Sequence, residues 1–389
     1  KSIGAENVFF NRVYDPAGLQ TQVSVETALE QAGVSSKSFN ASLLNEPWEI
    51  KNGSGKPYQV FTPYWRASRS GIHKEPSTFS PSELKFQSTN SKTETLNDLG
   101  LLPDHPWHEK LHTHWTVSED EGHGMIRRTT EEVTRFYSNR RNIPSIDGTS
   151  RLSPYLAWGN ISPRQICHAV LHADEHSGSR GENKFLTEIG WREFSYHLLY
   201  HFPRSPENPL RPKYASFPWK EDAKSLSNWQ FGKTGYPLVD AGMKQLYETG
   251  WMHNRVRMVV ASFLVKHLLL SWTEGTKWFW DTLVDADLAS NTQGWQWAAG
   301  CGADAAPYFR IFNPILQGEK FDGSGKYVQK WIKPLRNFPS EWMFKPWEAP
   351  ASILSEQNII LGKNYPHPCV NHPEARTRAL DALATLPKN

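Results

Sequence analysis

From about residue 119 to the end of the chain, apolar residues recur at helical spacing in one segment after another. MIRRTTEEVTRFYSNR, SPRQICHAVLHADEH, NKFLTEIGWREFSYHLLYHF, LVDAGMKQLYETG and NRVRMVVASFLVKHLLLSW all show it, each bounded by Gly, Pro or Ser. The pattern predicts an all-α domain over 119–389. A chain of 389 residues is too long for one ordinary core, so further units are expected upstream.

Residues 1–67 read as α/β. AENVFFNRVYD offers a strand around Val8 to Asn11, and SFNASLL looks like a second. Between them SVETALEQAGV is an amphipathic helix, with Val25, Ala28, Leu29 and Ala32 on one face and Gly33 closing it. An alternation of this kind favours a parallel sheet. With about two strands the sheet is small, as though strands were missing upstream, and a chain that begins at Lys1 is compatible with a processed or truncated N-terminus. Residues 68–118 have the Ser, Thr, Pro and Lys of a connector.

The bulk composition excludes little. With 43 basic and 40 acidic residues, the charge of +3 does not by itself require a nucleic-acid partner. Cys167, Cys301 and Cys369 are odd in number and far apart, so a disulfide framework and a C-x-x-C metal site are not expected. This suits a reducing, cytoplasmic setting, and no apolar run is long enough to span a membrane. His105, His108, His112 and His114 match no defensible metal spacing. His197 and His201 lie one helical turn apart with no third ligand nearby, so no metal is assigned. The outlier is aromatic content: 17 Trp, 19 Phe and 13 Tyr. Either the core is strongly aromatic or the chain holds a planar ligand.

Three short stretches carry candidate chemistry. GTSRLSPYLAWGNIS places Thr149, Ser150, Arg151 and Ser153 just before a helical segment, where hydroxyls and free N–H groups suit a phosphate, although Ser and Thr are also plain N-caps. EIGWR sets Glu188 and Trp191 on one helix face, and HNRVRM sets Asn254, Arg257 and Met258 on another. DADLASNTQGWQW packs Asp285, Asp287, Asn291, Trp295 and Trp297 into one run, although carboxylates are usually solvated or paired and indoles packed away from water.

Taken in order, GTSRLSPYLAWGNISPRQ, WREF, KTGYPLVDAGM, GWMHNRVRM, DADLASN, GWQWAAG and DAAPYFRIFNP closely resemble the photolyase/cryptochrome family, and within it microbial photolyases of the cyclobutane pyrimidine dimer type. The resemblance is densest from about Tyr137 to Trp331. It implies an α/β N-terminal domain followed by a large all-α FAD-binding domain, acting as a monomer on UV-damaged DNA. Tyr137, Thr149, Ser150, Arg151, Leu152 and Ser153 would embrace the diphosphate and ribityl region of FAD. Asn254, Arg257, Asp285, Asp287 and Asn291 would surround the isoalloxazine, with Asp285 paired to Arg257, Asp287 accepting from the flavin side and Asn291 at the N5 edge.

The same resemblance implies that Trp191 and Trp297 wedge a flipped thymine dimer, that Glu188 and Asn254 bond its polar edges, and that Met258 packs beside it. Trp295, Trp272 and Trp219 match the electron-relay tryptophans, and Arg141, Arg192, Arg255 and Arg310 match positions on the DNA side. The implied reaction is light-driven: reduced FAD lends an electron to the dimer, the cyclobutane opens, and the electron returns. A cryptochrome-type blue-light receptor is the main alternative. A (6-4) photoproduct lyase fits less well, because Asn254 and Met258 stand where histidines are expected. A DNA-binding flavoprotein that has lost repair is a third reading. The early strands of the family's N-terminal domain are not found here, which puts a folate- or deazaflavin-type antenna in question.

Overall fold

The computed structural model describes residues 4–77, 85, 93–102, 105–173, 178–304 and 309–387. The N-terminal unit is a parallel two-stranded sheet, β1 (Asn7–Asn11) and β2 (Ser35–Phe39), joined through helix α1 (Pro16–Gln31). Asn7 pairs with Ser35 and Asn11 with Phe39. Asp15 caps α1 by accepting from the Gly18 N–H at 2.7 Å, and Pro16 occupies the first helical position, where its missing N–H costs nothing. The helix therefore starts a full two turns before the expected segment.

The second strand is also displaced from the expectation: it ends at Phe39, so SFNASLL mostly follows it. Leu43 and Leu44 are fully buried and dock the chain onto the helical part. The Leu44 and Asn45 N–H groups donate to Glu193 Oε2 at 2.8 and 3.3 Å, a side-chain partner where a strand would use a ladder. An apolar pair that faces another unit imitates strand hydrophobicity in sequence.

Helix α2 (Phe61–Ser68) packs on the long helix described below, and a 3-10 turn (Arg69–His73) extends it. The expected connector over 68–118 is thus anchored at its start by Ser68, Gly71 and Ile72, all buried. Near its end a second 3-10 segment (Pro106–Thr113) leads to Trp115, whose indole donates to Thr249 O at 2.6 Å.

The helical part follows with α3 (Glu119–Arg128), α4 (Tyr137–Arg140), α5 (Ser153–Ala157), α6 (Pro163–Leu171) and α7 (Arg180–His201). Then come α8 (Ala223–Gln230), α9 (Pro237–Thr249), α10 (Asn254–Ser262), α11 (Trp272–Thr282) and α12 (Leu288–Ala299). The chain ends with α13 (Pro314–Phe321), α14 (Lys326–Trp331), α15 (Ala351–Glu356) and α16 (His372–Ala384). Caps explain many of the boundaries. Ser162 and Gln165 form a capping box on α6, and Gly250 and Gly300 end α9 and α12 in the left-handed conformation.

The main core lies among α8 to α12, α14 and α16, with Trp229, Trp272 and Trp295 inside it. A second core joins α3 to α7, and a third locks α2 to α7 through Phe61, Tyr64, Phe194 and Leu198. Where α11 crosses α12, a Cβ on Gly275 would lie 2.1 Å from the Trp295 ring, so only glycine permits that approach. Among the described residues no helix is long and apolar enough to cross a membrane.

Candidate active site

A cavity of about 590 Å³ opens among α4, α5, α7, α10 and α12, within the size range of small-molecule sites. Each element contributes by a simple rule of spacing. About three turns of α7 present Lys184, Glu188, Trp191 and Ser195 at steps of three and four residues, and about two turns of α10 present Asn254, Arg257, Met258 and Ala261 in the same way. The loop entering α5 supplies Thr149, Ser150, Arg151, Leu152 and Ser153, and Tyr137 closes that side. Asp285, Asp287, Asn291, Trp295 and Trp297 come from the start and inner face of α12.

Electrostatics within the cavity are organised around one pair. Arg257 Nη2 lies 3.1 and 2.8 Å from the two oxygens of Asp285, whose side chain is 3% exposed. Arg257 Nε donates to Met252 O at 2.7 Å, and Ser153 Oγ donates to Asp285 Oδ2 at 2.6 Å. A buried carboxylate is thereby both paired and hydrogen-bonded, the condition under which burial of charge is tolerated. Ser153, expected at the diphosphate, has its hydroxyl proton committed here.

Asp287 has protein partners of its own. Its Oδ1 accepts from the Ser290 N–H at 2.6 Å, capping α12, and its Oδ2 accepts from the Tyr196 hydroxyl. Each oxygen keeps a further lone pair, and Asp287 lines the cavity. Asn291 donates to Thr276 O at 3.0 Å, which leaves its carbonyl oxygen at the cavity wall. Arg151 sits at φ 53°, a left-handed conformation that costs any residue with a Cβ energy, with its guanidinium 5.3 Å from the Trp251 ring.

Glu188 is held by Arg141 and by Lys184, the latter at 3.1 Å. Trp191 stacks face to face on Phe61, 3.7 Å between centroids at 8°, which fixes one face of the indole and leaves it a rigid wall of the cavity. Trp297 lines the cavity and packs on the main core. Trp295, 2% exposed, reaches the cavity and meets Phe279 edge-on at 5.0 Å. Trp272 lies in the same core, and Trp219 sits at its rim, 4.3 Å from the Phe217 ring.

The four arginines expected on a DNA face divide. Arg141 and Arg310 each lie within electrostatic reach of Arg255: burial, then Arg141 and Arg310, holds the Arg255 pKa below its ordinary value. His253 beside them is driven down to about 3 by burial and then by Arg255, Arg257, Arg141 and Arg151. Its Nδ1 accepts from the Arg255 N–H at 3.2 Å, consistent with a neutral ring. Arg192 is different. Its guanidinium turns inward, donates to Ser42 O at 2.6 Å and lies over the Tyr196 ring. It ties α7 to the N-terminal unit and is no surface phosphate contact. Tyr196, Asp287 and Glu193 surround it, and Glu193 is a buried carboxyl pushed up to about 7 by burial against the pull of Arg192 and two backbone N–H groups.

Sequence reasoning missed Lys184, Phe61 and Tyr196. Lys184 was findable, one turn before Glu188 on the same helix. Phe61 and Tyr196 meet their partners only through tertiary packing. His197 and His201 both contact Pro47 O, at 3.3 and 3.1 Å, in a structural role.

A family model described as the FAD binding domain of DNA photolyase matches residues 185–385, and another described as DNA photolyase matches residues 1–82. A deoxyribodipyrimidine photo-lyase of Agrobacterium fabrum is 45% identical over 99% of this chain and 81% of its own length. Cryptochrome-1 of Arabidopsis thaliana is 38% identical over 99% of this chain and 58% of its own. The crystal structure of a bacterial class III photolyase from Agrobacterium tumefaciens superposes with a TM-score of 0.93 at 46% identity, over 98% of this chain and 79% of that one. The cavity described above thus lies in an FAD-binding domain, and the chain belongs to the DNA photolyase family.

Proposed function

We propose that the protein is a light-driven lyase that restores cyclobutane pyrimidine dimers in DNA to pyrimidines. The observation that carries this reading is the convergence of Glu188, Trp191, Asn254, Met258 and Trp297 on the same cavity as the flavin-type residues. The residues fit FAD on two structural grounds. The buried Arg257–Asp285 pair gives the wall a fixed dipole, and the loop that turns at Arg151 in the left-handed conformation lines the cavity with Thr149 and Ser150. Tyr137 and Thr149 to Ser153 would hold the phosphate end, while Asn254, Arg257, Asp285 and Asn291 would hold the ring system. When bound and reduced, the flavin supplies the light-excited electron that opens the dimer.

The chain's own residues do the rest. Trp191, braced by Phe61, and Trp297 offer flat surfaces for an extruded pyrimidine dimer, worth about 1–3 kcal/mol per base. That offsets an extrusion cost of a few kcal/mol, which is lower for a lesion already poorly stacked. Glu188, oriented by Lys184 and Arg141, exchanges those contacts for the polar edge of the lesion. Arg141, Arg255 and Arg310 draw in phosphates and fix register without reading sequence. Trp295, Trp272 and Trp219 form the route that refills the flavin with electrons. On this reading residues 119–389 are the catalytic unit and residues 68–118 the connector. Cryptochromes share the scaffold, but this lesion-facing set has a use only in repair.

Dark binding to a thymine-dimer oligonucleotide against an undamaged one tests the reading. Preference for the dimer should fall about tenfold or more in Trp297→Ala, since one lost stacking contact is worth about 1–3 kcal/mol. Arg255→Ala should weaken both oligonucleotides alike and lower the salt slope by about one. Equal binding of both oligonucleotides by the unaltered protein would defeat the proposal.

A further inference from the structure

Outside the flavin cavity, three side chains with metal-ligating atoms converge on the surface. Glu75 follows the 3-10 turn Arg69–His73, His168 is in the last turn of α6, and His172 is the residue just past that helix. One ligand atom from each lies within 4.8 Å of the others. His168 Nδ1 is 2.9 Å from Glu75 Oε2, and the two imidazole centroids are 4.2 Å apart. His172 Nδ1 lies 2.8 Å from His168 O, an acceptor only. That contact assigns the proton of a neutral His172 to Nδ1 and leaves Nε2 with its lone pair. Ligating histidines commonly have this arrangement, with the far nitrogen bonded to a carbonyl.

We infer that Glu75, His168 and His172 form a binding site for a divalent borderline metal ion, with zinc(II) the natural occupant, and that the ion ties the start of the connector to α6. Two imidazoles and one carboxylate suit zinc, cobalt(II) or nickel(II), and with Glu75 and His172 exposed and His168 part-exposed a coordination position is left for water. The helix supplies two ligands one turn apart and α6 already packs against the 3-10 turn, so little chain must be ordered to bring in the third. None of the three lines the flavin cavity, so the site is independent of the repair reading. Sequence reasoning assigned no metal here because Glu75 belongs to a segment remote from α6 in the chain.

The test is a titration of the full-length flavoprotein, stripped with EDTA and dialysed, with zinc chloride against a chromogenic chelator. Thermal melts are run with and without zinc. One zinc per chain should bind, the melting temperature should rise with zinc, and EDTA should reverse the rise, because the ion binds only the folded site. His172→Ala and Glu75→Gln should each weaken binding about tenfold or more, since even an outer hydrogen-bond partner of a ligand is worth about that much. Both positions are exposed, and retained flavin absorbance reports that the variants are folded. His123→Ala, which removes a surface histidine paired with Glu119 but with no second imidazole, should leave the titration unchanged. Absence of saturable stoichiometric binding overturns the site. Binding that survives Glu75→Gln overturns the tether, because the connector would then contribute no ligand.

Discussion

Helices α1 and α10 carry similar apolar spacing and have opposite fates. In α10, Val256, Val259 and Val260 are sealed in the main core. In α1 no residue is buried, and Val25, on the face expected to pack inward, is 44% exposed. The strands beside α1 alternate between exposed and half-buried positions, with Phe9 66% exposed. Helical periodicity therefore forecasts the element and its apolar face. Burial depends on what the rest of the chain places opposite. The two units are coupled beyond α1, through Leu44 and Asn45 on Glu193, Ser42 on Arg192, and Phe61 and Tyr64 of α2 packed on α7.

The contrast can be broken most strongly at the cavity. Arg257→Ala leaves Asp285 buried with only Ser153 as partner and should cost about 3–5 kcal/mol, read by denaturant unfolding together with loss of bound flavin. Next in size is Gly275→Ala, which drives a methyl into Trp295. About 1–3 kcal/mol should be lost, and photoreduction of the flavin should slow because the first relay indole is displaced.

An acid titration separates the units by a third route. His197, His253 and His267 are buried and their pKa values are held down to about 4, 3 and 3, in each case chiefly by burial. They are neutral in the fold and take up protons on unfolding, so their contribution is complete above about pH 6.5 and is lost as pH falls toward 4. Each should subtract about 1.4 kcal/mol per pH unit across that window. All three belong to the helical part, so its unfolding should carry the pH dependence. The smallest effect belongs to α1, where Val25→Ser should change stability by no more than about 0.5 kcal/mol. A larger loss would show that the α1 face is covered in solution.

Much of this was legible in sequence because the cavity is built from local spacing. Glu188 with Trp191 and Asn254 with Arg257 and Met258 follow from helix geometry, and the family motifs supplied their order. The relation of Arg257 to Asp285 came with the resemblance, and the need of a buried carboxylate for a partner agrees with it. What was not legible depends on contacts between remote segments. Tyr196 occupies Asp287, Phe61 backs Trp191, and Ser42 captures Arg192, none of which leaves a trace in spacing. The second strand was misplaced for a related reason: Leu43 and Leu44 are apolar because they dock onto α7, and the true strand, SSKSF, is polar and half exposed.

The central claim is that this cavity repairs dimers with light. The most direct measurement is recovery of thymine absorbance after the flavin-reduced protein is mixed with a thymine-dimer oligonucleotide and exposed to blue light. Recovery should occur only in the light and should vanish in a Glu188→Ala, Trp297→Ala double variant that still holds flavin. No recovery from the unaltered, flavin-loaded and reduced protein would contradict the account.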